Sequence, residues 1–215
     1  MKSSSGIPKA TVERLPRYLR CLEALSPLRA TISSTDLAKL SNMNAAKVRK
    51  DLSHLGTYGV RGVGYDAELL RFQIKRELGL TREWDVIIIG VGNLGSALAN
   101  YGGFVNRGFS IVGLYDADMT KVGMRMDGRI IRHISALESD AGRDGISIGV
   151  ITTPAEVAQD VATLLVDCGV RSILNFAPAE LDVPDTVHVR QVDLATELQI
   201  LSFYMSGGTP EAIDA

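Results

Sequence analysis

The residues whose types and spacing could do chemistry lie mid-chain, in Asp85-Val-Ile-Ile-Ile-Gly90-Val91-Gly92-Asn93-Leu94-Gly95-Ser96. An apolar run leads into a G-x-G-x-x-G turn and then into helix-forming residues, so the segment reads as strand, phosphate-binding turn and helix. Gly90 permits the tight turn, Gly92 lets backbone approach a pyrophosphate, and Gly95 lets the helix pack close to the sheet. The helix start leaves free N–H groups and a partial positive charge for that phosphate. A second apolar run ends in Asp116, 21 residues after Gly95. A carboxylate there can accept from a ribose 2′-OH and would repel a 2′-phosphate, so the expected ligand is NADH or NAD⁺. Asp118 lies beyond that strand and reads as loop surface.

Two further segments fall where strands end, at the carboxyl edge that binds ligands in such sheets: Thr152-Thr153-Pro154 and Asn175-Phe176-Ala177-Pro178. They can line a nicotinamide pocket but hold no strong acid or base. A dehydrogenase needs a proton relay beside the hydride. None of the six tyrosines heads a Tyr-x-x-x-Lys pair, and His133 and His188 sit in or beside short strands as packed or surface residues. The site reads as one that binds without reacting; the chain is not expected to be an enzyme. Cys21 and Cys168 stand far apart, without metal spacing, and read as buried free thiols. No metal is expected.

A second set of residues points to nucleic acid. Residues 34–40, with Ser34 or Thr35 as cap, and 44–55, capped by Asn44, form two short helices joined by a tight turn, the pattern of a helix-turn-helix. In the second helix Lys47, Arg49, Lys50, Ser53 and His54 are the polar positions, suited to phosphates or base edges. Glycine-punctuated residues 56–65 read as a hairpin whose Tyr58 and Arg61 would also meet DNA, Arg61 entering the minor groove as a wing. Residues 1–80 hold 14 Lys+Arg against 7 Asp+Glu, a balance of +7, while the remainder holds 9 against 18, a balance of −9. A basic reading head joined to an acidic second domain is the simplest account.

The elements that must position these residues follow from periodicity. Apolar residues at Val12, Leu15, Tyr18, Leu19, Leu22 and Leu25 predict a first helix. Pro16 conflicts with its interior and is expected near the first turn or at a kink, with Pro27 ending the segment. Residues 66–78 form another amphipathic helix. Beyond 80–84 the pattern changes to strands at 85–90, 110–116, 129–132, 146–151, 170–176 and 187–192, with helices at 93–103, 135–140, 154–168 and 194–206. That alternation is the signature of a parallel α/β sheet. The expected domains are a winged-helix DNA-binding domain over 1–80, a Rossmann-like dinucleotide-binding domain over 84–192, and a C-terminal helix and tail over 193–215. With 46% apolar and 22% charged residues the chain is globular in composition. No apolar run reaches the roughly 20 residues needed to cross a bilayer, and the polar residues 1–7 lack a signal-peptide core. A reducing cytoplasm fits.

Four motifs together resemble the Rex family of redox-sensing repressors: Arg14-Leu15-Pro16-x-Tyr18-Leu19-Arg20, Val48-Arg49-Lys50-Asp51-Leu52-Ser53, Gly59-x-Arg61-Gly62-Val63-Gly64-Tyr65 and Gly90-x-Gly92-x-Leu94-Gly95-Ser96-Ala97-Leu98. Asn175-Phe176-Ala177-Pro178 and Val192-Asp193-Leu194 continue the match. The resemblance implies a homodimer that represses respiratory and fermentative genes and leaves its operators when NADH binds. It implies that Lys50 reads a base, Arg49 holds phosphate and Arg61 enters the minor groove. It further implies a switch formed by Arg20, Tyr101 and Asp193, and places Leu194, where some relatives carry Phe, beside the nicotinamide.

Residues 194–206 are apolar on nearly every side, so that helix must be buried on more than one face. The expected solution is a domain swap, the helix inserting into a partner subunit. Two reading heads about 34–36 Å apart would then match a two-fold inverted repeat in double-stranded DNA. The rival readings are an NAD-dependent oxidoreductase and a repressor sensing another adenine nucleotide, such as coenzyme A.

Overall fold

The structure is a computed structural model that describes residues 6–26, 29–56, 59–60 and 62–208. The chain divides into two compact units, Met1–Arg82 and Glu83–Ala215. The ends expected at Pro27 and over 209–215 lie outside the described residues, as do Tyr58 and Arg61.

The first unit runs α1 (Lys9–Glu23), β1 (Thr31–Ile32), α2 (Ser34–Ser41), α3 (Ala45–Ser53), β2 (Tyr65–Asp66) and α4 (Ala67–Glu77). Leu15, Tyr18, Leu19 and Leu22 of α1 meet Leu37, Val48, Leu52, Leu70 and Ile74 in one core. The apolar stripe of α1 dictates this packing, and it overrides Pro16. The proline sits in the middle of the 15-residue helix, away from its first turn, which was one of the two places expected for it. It has no N–H for the Val12 carbonyl, yet the stripe continues through it.

Helix α2 is capped by Ser33, not by Ser34 or Thr35: its hydroxyl accepts the Asp36 N–H at 3.0 Å. Asn44 caps α3 by accepting from the Ala46 N–H at 2.7 Å. Of the segment 56–65, residues 57, 58 and 61 lie outside the described residues. Val60 and Gly64 form one bridge, exchanging N–H···O bonds of 2.8 Å, while β2 pairs antiparallel with β1. Gly64 has φ +99°, and a Cβ there would collide with the Ile32 carbonyl oxygen. Its glycine is what lets the wing turn lie against β1.

The second unit contains β3 (Trp84–Ile89), α5 (Asn93–Ala99), β4 (Phe109–Asp116), β5 (Arg125–Met126), β6 (Arg129–His133), α6 (Leu137–Asp144), β7 (Ile148–Ile151), α7 (Ala155–Asp167), β8 (Ser172–Asn175), β9 (His188–Gln191) and α8 (Leu194–Met205). The strand order is β5-β6-β4-β3-β7-β8-β9, parallel throughout except for the β5–β6 pair. Successive strands leave the central β3 in opposite directions, toward β4 and then toward β7. A crevice therefore opens at the carboxyl ends of β3 and β7, the switch point at which doubly wound sheets bind ligands. Strand β3 is apolar at every residue from Val86 to Ile89 because both of its faces are covered. Ile87 and Ile89 join one core with α7, and Val86 and Ile88 join the other.

Three local expectations differ. The helix expected over 93–103 ends at Ala99, and a single 3₁₀ turn follows at Val105–Arg107. Tyr101 and Phe104 pack edge to face in the intervening loop. Strand β5 was not expected. Cys21 and Cys168 are half-buried rather than buried, and burial raises both thiols above their ordinary value.

Candidate functional site

At the sheet switch point the backbone of the glycine turn is held from both sides. Gly90 has φ +93°; its N–H donates to the Tyr115 carbonyl at 2.8 Å, and a Cβ would lie 2.8 Å from the Thr152 carbonyl oxygen. A Cβ on Gly95 would lie inside the contact envelope of the Gly90 carbonyl oxygen and 2.8 Å from Thr152 Oγ1. Thr152 ties the two strand ends together, its hydroxyl donating to the Gly90 carbonyl at 2.6 Å. Gly92 is different. A Cβ there would meet no protein atom within 4 Å, so protein packing does not require a glycine at this position. A ligand surface would.

These residues wall a cavity of about 790 Å³, lined by Gly90, Gly92, Asp116, Asp118, Lys121, Ile134, Thr152, Thr153, Pro154, Val157, Asp160, Val161 and Leu164 among others. That size falls in the ordinary range for ligand sites. Asp116 is 8% exposed. Its Oδ2 accepts the Val91 N–H at 2.7 Å and the Lys121 ammonium at 3.0 Å, and its Oδ1 accepts the Asp118 N–H at 2.9 Å. Burial opposes its ionisation, but these donors outweigh burial and hold the carboxyl below its usual range. The Thr153 hydroxyl is buried in the wall and has no hydrogen-bond partner among the described residues. Buried orphans are rare and costly, and a polar ligand in the cavity would relieve this one. The open face of Gly92, the orphan Thr153 Oγ1 and the buried Asp116 all suit a phosphate-linked nucleotide with a free ribose diol.

Of the expected ligand residues, Gly90, Gly92, Asp116, Thr152, Thr153 and Pro154 line this cavity. Val91 and Gly95 are buried beneath it, and Asn93 and Leu94 begin α5. The others fall elsewhere. Asn175 is fully buried, and its amide is used within the protein: it donates to the Ala179 carbonyl (2.9 Å) and to Gln191 Oε1 (2.7 Å) and accepts the Ala177 N–H (2.9 Å). Ala177 joins the core beside α7 and Phe176 packs on the opposite core. Asp193 caps α8, its carboxylate accepting the Ala195 N–H (2.9 Å) and the Thr196 hydroxyl (2.8 Å), which lower its pKa. Leu194 and Tyr101 are exposed. Arg20, the third expected switch residue, is an exposed residue in the last turn of α1.

Sequence reasoning missed Lys121, five residues past Asp116; Asp118, read as surface, is exposed and also lines the cavity. Val157, Val161 and Leu164, which also line the cavity, lie in the helix expected over 154–168 but were not among the expected site residues. Their i, i+4, i+7 spacing on α7 carries the signal, because one helix face can line a cavity as readily as a core.

In the first unit, α3 presents Arg49, Lys50 and Ser53 to solvent while Val48, Asp51 and Leu52 are buried. The two sets lie on opposite faces at about 100° per residue. Lys47 is half-buried at the margin, and His54 is the exposed C-cap. The buried Asp51 was quoted in the sequence only as part of a motif. It is 1% exposed and accepts from Thr11 Oγ1 (2.9 Å), Arg14 Nε and Nη2 (2.7 and 2.6 Å) and the Tyr18 hydroxyl (2.7 Å). One carboxylate thus fastens the basic helix to α1. Burial opposes its charge, but the Arg14, Tyr18 and Thr11 bonds hold it ionised, below the usual carboxyl range. Burial and that neighbouring carboxylate push the Tyr18 phenol up, keeping it a neutral donor.

Comparison with known proteins finds matches for both units. Residues 6–53 match the family model Put_DNA-bind_N, a DNA-binding protein N-terminus, and residues 81–179 match the CoA binding domain. The redox-sensing transcriptional repressor Rex of Streptomyces avermitilis is 57% identical over 202 residues, 94% of this chain and 80% of the relative. The crystal structure of RSP with β-NAD⁺ and operator DNA superposes with a TM-score of 0.89 at 35% identity, covering 94% of this chain and 93% of that one. RSP with β-NADH gives 0.84 at 33% identity, covering 94% and 95%. The chain belongs to the Rex family of redox-sensing transcriptional repressors.

Proposed function

We propose that this chain represses transcription by binding inverted-repeat operators and releases them when NADH occupies the cavity at the β3–β7 crevice. The observation that carries the reading is the union in one chain of a glycine turn backed by a buried acid and a helix-turn-helix with Arg49 and Lys50 exposed. In this reading Asp116 orients the adenosine ribose, Gly90 to Gly95 receive the pyrophosphate, and Thr153 gains a partner. Lys47, Arg49, Lys50, Ser53 and His54, with Tyr58 and Arg61 of the wing, contact DNA. Asn175, Phe176, Ala177, Asp193 and Leu194 would serve the nicotinamide only after rearrangement or in an assembly, and Arg20, Tyr101 and Asp193 would act as the switch between units. No helix among the described residues is long and apolar enough to cross a membrane, and we place the protein in the cytoplasm, where operators and NADH are found. Family membership speaks against the oxidoreductase reading.

A ligand moves a conformational equilibrium only through unequal affinity for its two states. The test is an operator duplex, selected from a random library, titrated at fixed salt because phosphate contacts make affinity salt-dependent. NADH is expected to weaken binding at least ten-fold, and NAD⁺ at the same concentration to leave the complex intact. Equal release by both nucleotides would defeat the sensor reading. Release by coenzyme A and not by NADH would favour the ligand of the other matching family model.

Dimerisation is read from α8. None of its residues is buried; Leu194, Leu198, Leu201, Phe203, Tyr204 and Met205 are each at least half exposed. The same unit leaves an apolar groove of about 340 Å³ across β3, β7 and β8, lined by Val86, Phe109, Ile148, Val150 and Leu174. Apolar surface of this extent on one chain calls for a partner, and the exchange of α8 between two copies supplies one. Leu198→Glu with Leu201→Glu should turn a dimer into a monomer in sedimentation and lower operator affinity at least ten-fold. A wild-type monomer, or a variant that stays dimeric, would refute the swap.

A further inference from the structure

Lys121 lies in a turn closed by its own N–H donating to the Asp118 carbonyl at 2.9 Å, and it lines the same cavity as both acids. Its ammonium stands 3.0 Å from Asp116 Oδ2 and 3.8 Å from Asp118 Oδ2. With the Val91 and Asp118 N–H groups, it makes the third donor to Asp116. A carboxylate offers about four lone pairs, so one position stays open for a sugar hydroxyl. Asp118 differs in kind. It is exposed, its Oδ1 is taken by the Thr120 N–H and hydroxyl, and solvent screens its charge. The buried Asp116 is therefore the group that neutralises Lys121.

We propose that Lys121 is the specificity-determining cation of the ribose subsite. Held by Asp116 it serves a free 2′,3′-diol; released from Asp116 it captures a 2′-phosphate. Asp116 then rejects a 2′-phosphorylated dinucleotide in two ways, by its own charge and by keeping Lys121 from the phosphate. The chemistry is ordinary: an ammonium on a flexible stem is a compact point charge and a good phosphate ligand once no carboxylate occupies it. The proposal rests on the reading of this cavity as a nicotinamide dinucleotide site.

The experiment titrates full-length wild type, Asp116→Asn, Lys121→Met and the double variant with NADH and NADPH, following reduced-nicotinamide fluorescence at low ionic strength without DNA. Asp116→Asn should tighten NADPH at least ten-fold, and adding Lys121→Met should reverse that gain by a similar factor. Lys121→Met alone should cost NADPH more than NADH, a comparison that still decides the matter if Asp116→Asn fails to fold. NADPH tightening that persists without Lys121, or equal losses of the two nucleotides in Lys121→Met, would overturn the proposal. Wild type that binds no NADH would overturn the functional reading and this inference together; wild type that binds NADH while the variants disobey would overturn the inference alone.

Discussion

Asp51→Asn should unfold the DNA-binding unit at a temperature about 10–20 °C below wild type and abolish operator binding at any concentration of NADH. The size follows from what the carboxylate touches. Thr11, Arg14 and Tyr18 all donate to it, and it is almost wholly withdrawn from solvent. Removing the charge leaves a half-buried guanidinium without its partner, a change that costs about 3–5 kcal/mol in comparable buried pairs. A domain of this size commonly has only about 5–10 kcal/mol in total. The helix carrying Arg49 and Lys50 is then no longer fixed to α1, and its side chains lose their common direction. Arg49→Ala is the control: it should weaken operator binding with little change in melting temperature. An Asp51→Asn protein that melts with wild type would refute the clamp.

The same carboxylate sets an acid limit. Its pKa is lower in the folded protein than in the unfolded chain. Its contribution is therefore complete above the unfolded value, near 4, and is lost as pH falls through the folded value below that. Asp51→Asn should remove this part of the acid sensitivity, and urea midpoints measured between pH 5 and pH 3 would display the difference.

What could be seen in the sequence was what local spacing determines. The strand, glycine turn and helix from Asp85 to Ala99 form a contiguous unit, and Asp116 follows from the length of one crossover. The basic face of α3 is legible because Arg49, Lys50 and Ser53 alternate with apolar residues at helical period. The clamp was not legible, since Asp51 inside a charged helix resembles any solvated acid. Its partners lie 33 to 40 residues away, and only the folded packing of α1 on α3 turns the acid inward. The β1–β2 pair was hidden for a similar reason: two-residue strands have no periodicity, and their register comes from chain closure between Ile32 and Tyr65. Asn175 has contacts that the sequence could not display. A polar residue at a strand end resembles a ligand donor, yet Gln191, on the neighbouring strand, and the Ala179 carbonyl already take its amide.

Gly95→Ala and Gly92→Ala should separate two uses of glycine three residues apart. At Gly95 the new methyl would run into the Gly90 carbonyl oxygen and Thr152 Oγ1. The obstacles are backbone and a hydroxyl already bonded to that backbone, so neither can swing away, and α5 must move off the sheet. Overpacking of this kind costs about 1–3 kcal/mol, and it displaces the N–H groups that open α5. Gly95→Ala should thus melt earlier and lose NADH affinity at least a hundred-fold. At Gly92 a methyl meets only the cavity. That variant should melt within about 1 °C of wild type, as changes that disturb no packing do, yet lose NADH at least ten-fold. Both should hold operator DNA in the presence of NADH, becoming repressors that cannot be released. Should Gly92→Ala bind NADH as wild type does, the phosphate does not pass over that residue, and the cavity is filled in some other way.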